Sequence, residues 1–370
     1  MDKEMAASVE PVIKKLGKIY ELKIYNVEPI NRGEVNHNFE ITTNEGKFFS
    51  REYGDKIIRS EEDLIFEHRV LDHLIRNGFT RLARPREVRN LALQGAHCPN
   101  PTLVRVGRRY FALFDFIAGR DASNFDLEEA ARTLAYFHKA IESFEHPYRP
   151  FFVEDMWEKQ LRQYEILLAQ NQRKDYFEET LGRFLPQVEH YLNTFKASIH
   201  ESDNGLKELV CHNDYHLGNI RMSAKKAYII DFEGVEYNYC SYELAFATIA
   251  FCTQEDPGDL KKEQEFWEKA KRFIKNYTDV GGLHPEEIKL MPSMLKATYV
   301  KLLPRIIRHH YQNTYETDKR IRDETLTIII NSLDWCEEHS QQMIADLELI
   351  SEQTASFARR SRRYARSPHK

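Results

Sequence analysis

The sequence has few cysteines and no long hydrophobic run. Its five cysteines are scattered singly without a C-x-x-C pair, and their odd number leaves one unpaired in any disulfide scheme. This usage is typical of a reducing compartment. No stretch approaches the roughly 20 apolar residues that span a bilayer. The start of the chain also lacks the basic end and apolar core of a secretory signal. We therefore expect a cytoplasmic protein with no membrane partner.

A large excess of charge of one sign is also lacking. The 370 residues carry 53 basic and 58 acidic side chains, a formal net charge of -5. A balance so close to neutral gives no reason to expect nucleic acid or an anionic membrane as a partner. One segment is locally basic, residues 359–370 with the sequence RRSRRYARSPHK. It could touch RNA or phosphate, but we expect a frayed, solvated tail.

Several common enzyme motifs are absent, namely G-x-x-x-x-G-K-[ST], G-x-S-x-G and G-x-G-x-x-G. Their absence argues against a P-loop nucleotidase, an α/β-hydrolase and a Rossmann dinucleotide-binding enzyme. His212 and His216 have the spacing of a helical zinc pair, yet Gly218 and the apolar run before His212 favour a loop. We expect no zinc at that pair.

The front of the chain has β-strand patterns and one amphipathic helix. Residues 36–53 hold two β-rich stretches on either side of the turn 44–46, which predicts a hairpin. Ser60 and Asp63 have the spacing of a variant capping box and predict the start of a helix. Glu67 falls inside the apolar stripe of that helix. A carboxylate in such a place needs a polar partner.

The rest of the chain is predicted to be mainly helical. A strand at 110–117 is followed by a helix that we expect Asp126 to cap, with Glu129 completing the box. Two short apolar runs, 208–214 and 227–233, are expected to be strands. Beyond residue 241 the pattern is helical, and four prolines are the expected helix boundaries: Pro257, Pro285, Pro292 and Pro304.

A chain of this length is too long for one small core. We expect an α+β protein with two lobes and a cleft between them, a front lobe at 1–116 with an antiparallel sheet and a larger helical lobe at 117–358. The basic tail at 359–370 lies outside both. Composition and spacing indicate nothing about the oligomeric state.

The run VCHNDYHLGNI, residues 210–220, carries the strongest chemical signal. Asp214 precedes Asn219 by five positions, and Asp231 follows at the end of an apolar run. One carboxylate near a hydroxyl, with an amide and a second carboxylate sharing Mg²⁺, is what phosphoryl transfer requires. Asp214 would accept the hydroxyl proton, and Asn219 and Asp231 would hold the metal. His212 would orient the loop, and the alternative is an ordinary polar turn between strands.

This stretch resembles the aminoglycoside phosphotransferase and choline kinase superfamily, which includes a type of homoserine kinase and shares the protein-kinase-like fold. The family's loop is His-x-Asp, three further residues and Gly-Asn, and the matching residues here are His212, Asp214, Gly218 and Asn219. The run Ile-Asp-Phe-Glu at 230–233 is similar to the choline kinase version. The segment at 241–245 resembles the family's Asp-Leu-Ala segment, with Glu243 in place of Asp.

The resemblance extends to the front of the chain. Gly33, Asn36 and Phe39 are similar to the family's short nucleotide loop. The resemblance implies that Glu67 is the acidic partner of a strand lysine, whose place is taken here by Arg51. It also implies an inter-lobe hinge whose backbone contacts adenine, formed by Phe114, Asp115, Phe116 and Ile117.

These expectations define an ATP- or GTP-dependent kinase with Mg²⁺ as cofactor, acting on a hydroxyl of a small molecule. Arg51 is the departure from the family pattern, because a planar guanidinium reaches phosphates and pairs with Glu67 differently from a lysine ammonium. The alternative is therefore a catalytically weak or inactive kinase-like binding or scaffold protein.

A group of carboxylates and aromatic rings after Asp231 suggests the chemistry of the acceptor. Its members are Glu233, Glu236, Tyr237, Tyr239 and Glu243. Carboxylates and aromatic faces suit a cationic ligand. An amino alcohol, a hydroxy amino acid or an aminoglycoside is the expected acceptor. Alternatively, Glu233 binds a second Mg²⁺ or pairs with an arginine.

Overall fold

The computed structural model of the chain describes residues 12–30, 36–54, 60–93, 100–148, 175–201, 205–253, 260–312 and 319–365, together with 162, 166 and 169. The chain divides into two compact units. The first unit comprises 1–121, 140–150 and 218–235, and the second comprises 122–139, 151–217 and 236–370.

Strands occur in both units. In chain order they are β1 (Ile24–Ile30), β2 (His37–Thr43), β3 (Gly46–Glu52), β4 (Leu103–Val106), β5 (Arg109–Asp115), β6 (Arg120–Asp121), β7 (Glu208–Cys211), β8 (Ile220–Ser223), β9 (Lys226–Ile229) and β10 (Glu236–Tyr239).

Helices make up most of the second unit. In chain order the helices are α1 (12–19), α2 (Glu61–Arg76), α3 (Leu127–Ile141), α4 (Tyr176–Glu201), α5 (Cys240–Cys252), α6 (Leu260–Gly281), α7 (Pro285–Val300), α8 (Leu303–Gln312), α9 (Lys319–Glu338) and α10 (Ser340–Ala365). No helix in the described ranges combines the length and the apolar character needed to cross a membrane.

The first unit contains an antiparallel sheet with the strand order β1-β2-β3-β5-β4. The predicted hairpin is confirmed, because β2 pairs with β3 in the register Thr43 to Gly46. Gly46 has φ +111°, a value that is strained for residues with a side chain. One face of this sheet packs with α1 around a buried apolar cluster that includes Leu16, Phe39 and Phe48.

Helix α2 begins where the sequence predicts. Ser60 Oγ accepts from the backbone N–H of Asp63 at 3.2 Å, and the Asp63 carboxylate accepts from the N–H of Ser60 at 2.7 Å. The capping box is therefore confirmed. The helix ends before Gly78, whose φ of +78° suits a residue without a side chain.

A second, three-stranded sheet in the first unit has the order β6-β8-β9. Three predicted strands are shorter than expected. The strand at 110–117 ends at Asp115, the run at 208–214 leaves the strand after Cys211, and the run at 227–233 leaves it after Ile229. Asp231 has φ +65°, so the backbone cannot stay extended there, and 232–234 forms a 3₁₀ turn.

The second unit is built around α5, in which most side chains are buried. It packs against α6 and α7, while α9 and α10 also pack on α7. A two-stranded antiparallel sheet of β7 and β10 joins this helical core. The sheet matters for function because the predicted catalytic loop begins directly after β7.

Several predicted helix boundaries need correction. The predicted capping box of Asp126 and Glu129 is wrong. The Asp126 carboxylate accepts from the N–H of Ser123 at 2.9 Å, so the capping box lies one turn earlier in the chain. Glu129 instead pairs with Arg132. Helix α10 continues to Ala365. The prediction of a frayed tail from residue 359 was therefore wrong for the backbone of residues 359–365.

Of the four prolines, Pro285 and Pro304 lie in the first turns of α7 and α8, as expected. Pro292 lies inside α7, so the boundary predicted there was wrong. That proline is buried, and tertiary packing of α7 offsets the lost backbone hydrogen bond. Pro257 lies outside the described residues.

Candidate active site

Arg51 lies near the end of β3 and is only 5% exposed. Its Nη1 atom is 2.9 Å from Asp231 Oδ1, while the rings of Phe49 and Tyr53 lie 5.7 and 6.0 Å from the guanidinium carbon. Burial by itself lowers the pKa of Arg51, but the charges of Asp231, Glu67, Tyr53 and Glu233 together outweigh it and the pKa is raised. The buried cation is therefore held permanently charged beside a carboxylate.

Glu67 is buried on α2, and the structure supplies the polar partner that the sequence demands. The Tyr53 hydroxyl donates to Glu67 Oε1 at 3.1 Å and lies 2.9 Å from His68 Nε2. His68 Nδ1 in turn lies 2.5 Å from Thr102 Oγ1. The charge of Glu67 also raises the pKa of Arg51, after the larger effects of burial and Asp231. Glu67 thus acts on Arg51 through its charge, and the ion pair at contact distance is with Asp231.

Asn219 and Asp231 lie at the same end of the hairpin formed by β8 and β9. Ile220 pairs with Ile229, and the carbonyl oxygen of Asn219 accepts from the N–H of Ile230 at 2.9 Å. The hairpin therefore brings together two residues that are far apart in sequence. Their amide and carboxylate oxygens are of the type that Mg²⁺ prefers, and the Asp231 side chain is 35% exposed. The donor set fits a hard divalent cation.

Glu233 is engaged with the predicted nucleotide loop. Asn36 Nδ2 donates to Glu233 Oε2 at 2.5 Å, and Asn36 Oδ1 accepts from the N–H of Gly54 at 3.0 Å. This contact connects Glu233 to a residue that is expected to meet the nucleotide. Gly33 lies outside the described residues.

The predicted hinge, residues 114–117, spans the end of β5. Phe114 is buried and pairs within the sheet, and the N–H of Asp115 donates to the carbonyl of Arg84 at 2.8 Å. Phe116 and Ile117 lie beyond the end of the strand. The backbone of Phe116 and Ile117 therefore lies outside the sheet.

In the second unit, the loop after β7 leaves Asp214 accessible. The Asp214 side chain is 53% exposed, and its Oδ2 atom is 3.3 Å from His216 Nε2. The next residue, Tyr215, is fully buried, and its hydroxyl donates to the carbonyl of Ala130 at 2.8 Å. The loop is not helical, as predicted from Gly218, and this geometry gives His212 and His216 no helical zinc spacing.

The side chain of Glu243 holds the backbone of this loop. Glu243 Oε1 accepts from the N–H of Asn213 at 2.6 Å, and Oε2 is 2.7 Å from His138 Nε2. Burial by itself raises the pKa of Glu243, but the hydrogen bond and charge of His138 outweigh it and the pKa is lowered. The carboxylate is 1% exposed, so it cannot form part of a surface for a cationic acceptor. The expectation from the sequence that Glu243 belongs to such a surface was therefore wrong.

Asn213 adopts a left-handed conformation with φ +60°, which asparagine tolerates better than most residues. Its side-chain amide donates to the carbonyls of Cys211 and Glu236, at 3.3 and 3.2 Å. Asn238 Nδ2 donates to Asn213 Oδ1 at 2.7 Å. Tyr237 is buried in β10, so its ring offers almost no surface to a ligand.

Lys301 is a functional candidate that sequence reasoning missed. Its Nζ donates to the carbonyl of Asn213 at 3.1 Å. Burial by itself raises the pKa of Asp214, but the hydrogen bond from His216 and the charges of His216, His212 and Lys301 lower it. Asp214 is therefore ionised at neutral pH. No local pattern marks Lys301, because the contact joins segments that are distant in sequence.

His138 is also missed by sequence reasoning. It lies on α3 and is 3% exposed, with Nδ1 2.7 Å from the Tyr277 hydroxyl and Nε2 facing Glu243. A single histidine on an apolar helix face has no sequence signal that separates it from a core residue. His212, by contrast, is part of the predicted catalytic loop and is fully buried, and its role in orienting that loop stays a prediction.

Solved structures with the same fold include several kinases. An aminoglycoside phosphotransferase from Alicyclobacillus acidocaldarius has 17% identity and a TM-score of 0.60, with 91% of this chain and 95% of that chain covered. The amicoumacin kinase hAmiN, in complex with AMP-PNP, Ca²⁺ and Ami, has 16% identity and a TM-score of 0.61, covering 91% and 96%. A choline kinase from Cryptosporidium parvum has 14% identity and a TM-score of 0.62, covering 92% and 98%.

At the sequence level, no curated protein matches the chain. A family profile does match: that of APH, the phosphotransferase enzyme family, aligns with residues 26–277. The match includes Arg51, Glu67, Asp214, Asn219 and Asp231, and it covers more than half of the chain. The chain therefore belongs to the phosphotransferase enzyme family, which agrees with the enzyme class that its motifs predict.

Proposed function

We propose that the protein is an ATP- or GTP-dependent kinase that transfers the γ-phosphoryl group to a hydroxyl of a small molecule. The observation that carries this proposal is the pairing of buried Arg51 with partly exposed Asp231 at 2.9 Å. A fixed cation and a carboxylate at one place suit a nucleotide phosphate and its metal ion. Family membership adds the reaction type.

Each residue has a proposed role in the reaction. Asp214, ionised and half-exposed, would accept the proton of the acceptor hydroxyl. The hydroxyl oxygen would then bond to the γ-phosphorus as the bond to the β,γ-bridging oxygen breaks. Asn219 and Asp231 would hold Mg²⁺, which supplies charge neutralisation at the phosphates when bound. Arg51 would contact the phosphates.

The remaining nucleotide contacts follow from the same proposal. Asn36, fixed by Glu233 and Gly54, would hold the end of the loop that covers the phosphates. The backbone at 114–117 would contact the adenine ring. The solved kinase hAmiN, bound to AMP-PNP and Ca²⁺, supports the use of a nucleotide and a divalent cation.

The acceptor is proposed to carry an amine beside its hydroxyl. Glu236 is only half-buried in β10, and its charge is sensed by Lys301. A carboxylate there would attract an ammonium group. The similar structures named as choline kinase and aminoglycoside phosphotransferase favour an amino alcohol, a hydroxy amino acid or an aminoglycoside.

One observation favours a second candidate, a catalytically weak binding or scaffold protein. Arg51 stands where the family has lysine, and it occupies the carboxylate expected to bind the metal. If that ion pair persists, the metal must compete with a cation that is already in place.

A melting experiment separates the two candidates. We expect ATP with Mg²⁺ to raise the melting temperature of the wild-type chain and of Asp72→Ala, a surface aspartate paired with Arg76 on its own helix. The rise should be lost in Asp231→Ala. Unchanged melting in the wild type would favour the scaffold.

Turnover identifies the acceptor. A coupled ADP assay with choline, ethanolamine, homoserine and kanamycin should show activity with at least one amine-bearing alcohol and none in Asp214→Ala. Nucleotide-dependent melting without turnover on any of these acceptors would reject the proposed acceptor class while leaving nucleotide binding intact.

A further inference from the structure

A compact group of metal-ligand side chains lies in the core of the second unit. It consists of His138, Cys211 and Cys240, one ligand atom of each lying within 4.8 Å of the other two. All three residues are buried, with exposures of 3%, 0% and 2%. They come from α3, the end of β7 and the start of α5. The proposed kinase chemistry uses none of them.

The imidazole of His138 is oriented from both sides. Its Nδ1 atom is 2.7 Å from the Tyr277 hydroxyl, and its Nε2 atom is 2.7 Å from Glu243 Oε2. Histidines that bind metal ions usually have the second ring nitrogen held by an outer partner. Tyr277 would supply that partner, and Glu243 Oε2 is the oxygen donor next to the ring.

The Cys240 thiol differs from other buried cysteines of the chain. Burial raises the pKa of Cys252 and of Cys336 to about 12. Burial would also raise the pKa of Cys240, but the hydrogen bond with Cys211 and the charge of His138 lower it below its ordinary value. Charges from Glu287 and Lys207 also face Cys240. The sulfurs of Cys211 and Cys240 are therefore hydrogen-bonded neighbours in the core, beside the imidazole of His138.

Cys211 completes the sulfur pair. Its pKa is raised by burial and by its neighbours Cys240 and Glu243, so the thiol keeps its proton in the absence of a cation. Its Sγ atom is 3.6 Å from the carbonyl oxygen of Asn238. A thiol is a weak donor, and this bond is lost at small cost when a metal ion replaces the proton.

We infer that His138, Cys211 and Cys240 form a site for a thiophilic divalent cation, Zn²⁺. Two sulfurs and an imidazole nitrogen are the ligand set that zinc prefers over magnesium or calcium. Binding releases the protons of both thiols, and the neutral ring binds through Nε2 while its single proton is on Nδ1. The bond from Nδ1 to Tyr277 remains as the outer contact.

The site has a structural consequence. Glu243 Oε1 still accepts from the N–H of Asn213, so the cation would connect α3, β7 and α5 to the loop that carries Asp214. The inference does not depend on the reaction that this loop performs. Zinc binding and phosphoryl transfer can therefore fail independently.

Metal analysis of the full-length chain tests the site. Protein from zinc-supplemented medium should retain about one zinc ion per chain after gel filtration, and Cys240→Ser should retain at least about tenfold less. Cys252→Ser, which alters a buried thiol outside the group, is the matched control and should retain zinc like the wild type. A wild-type chain free of zinc, or equal zinc in Cys240→Ser, would overturn the inference.

A second measurement needs no variant. Wild-type protein exchanged with Co²⁺ should show a thiolate-to-cobalt charge-transfer band and the visible absorption of tetrahedral cobalt. Titration with Zn²⁺ should displace the Co²⁺ and abolish both bands. Cobalt spectra like those of the hexaaquo ion would show that no thiolate coordinates the metal and would reject the site even if Cys240→Ser failed to fold.

Discussion

The two units hold their candidate catalytic groups in different ways. In the first unit, the side chain of Asp231 is bound directly by buried Arg51. In the second, the Asp214 side chain is half-exposed, and the contacts that position it act on the loop backbone through Glu243 and Lys301. The carboxylate expected to bind a metal is thus held by a cation, whereas the one expected to take a proton stays accessible.

This difference has a physical basis. A carboxylate beside a permanent cation remains ionised and ready to exchange one positive partner for another. A general base must reach its substrate, and both Asp214 and its side-chain partner His216 are exposed, while the loop is fixed through backbone amides and carbonyls. Disrupting the pair of Arg51 and Asp231 should therefore change metal and nucleotide binding, whereas replacing Asp214 should change turnover.

The largest effect is expected at the exposed carboxylate. Asp214→Asn removes the proton acceptor, and turnover should fall by roughly 10² to 10⁴-fold. Nucleotide-dependent melting should be retained, because Arg51 and Asp231 are unchanged. Asp279→Asn, which alters a carboxylate of the same unit paired with Lys275 on its own helix, is the matched control. Turnover within twofold of wild type in Asp214→Asn would refute the assignment of the base.

The next largest effect is expected at Glu243, which holds the backbone of the loop that carries Asp214. Glu243→Gln leaves buried His138 without its carboxylate and should lower the free energy of unfolding by about 3 to 5 kcal/mol, because one partner of a buried pair is lost. Denaturant unfolding measures it.

Glu287 offers a matched control for that change. It is also a buried carboxylate of the second unit, but burial raises its pKa. Glu287 accepts from the backbone N–H of His284, a bond that an amide oxygen can also accept, so Glu287→Gln should cost clearly less than Glu243→Gln. Equal losses would mean that burial alone, and no ion pair, accounts for the effect.

In the first unit the decisive change is Arg51→Met. Removing the cation frees Asp231, so Mn²⁺ measured without nucleotide should bind roughly tenfold more tightly, a change of about 1.4 kcal/mol. ATP should bind more weakly, because a phosphate contact is lost. Arg109→Met, which breaks the ion pair with Glu52 on the same sheet, is the control. Mn²⁺ affinity that falls or stays constant in Arg51→Met would contradict competition for Asp231.

The smallest effect concerns the pH profile. Lys301 helps to lower the pKa of Asp214, so Lys301→Met should raise it and move the acid limb of the activity profile to higher pH. Turnover at the acid shoulder should fall by roughly two- to threefold, with little change at neutral pH, where the base stays ionised. Lys296→Met, in which the lost lysine pairs with Glu337, should leave the profile in place.

Short-range features of the fold were predictable. The hairpin at 44–46 and the capping box of Ser60 and Asp63 are confirmed, because a turn or a cap is decided by residues a few positions apart. The box at Asp126 was wrong by one turn since Ser123 offers an equally good partner on the other side. Two adjacent local patterns competed, and sequence alone could not rank them.

Longer-range features were predictable only where the family pattern carried them. Burial of Glu67 was expected from its place in an apolar stripe, but its hydrogen bond with Tyr53 was not. The burial of Glu243 was also missed, because its neighbouring tyrosines and carboxylates gave the segment a polar character. A side chain's exposure depends on which elements cover it, and this information is spread over the whole chain.

The sequence by itself determined the reaction class, because the residues that carry it lie in short motifs whose spacing is set by one loop and one strand end. It also determined the sheet-then-helix order of the fold, through local patterns of apolar residues. The tertiary structure decided the partners: Asp231 for Arg51, Asn213 and His138 for Glu243, and the meeting of His138 with two cysteines. Charges and thiols choose partners by proximity after the core has packed, and proximity between distant segments exists only in the folded chain.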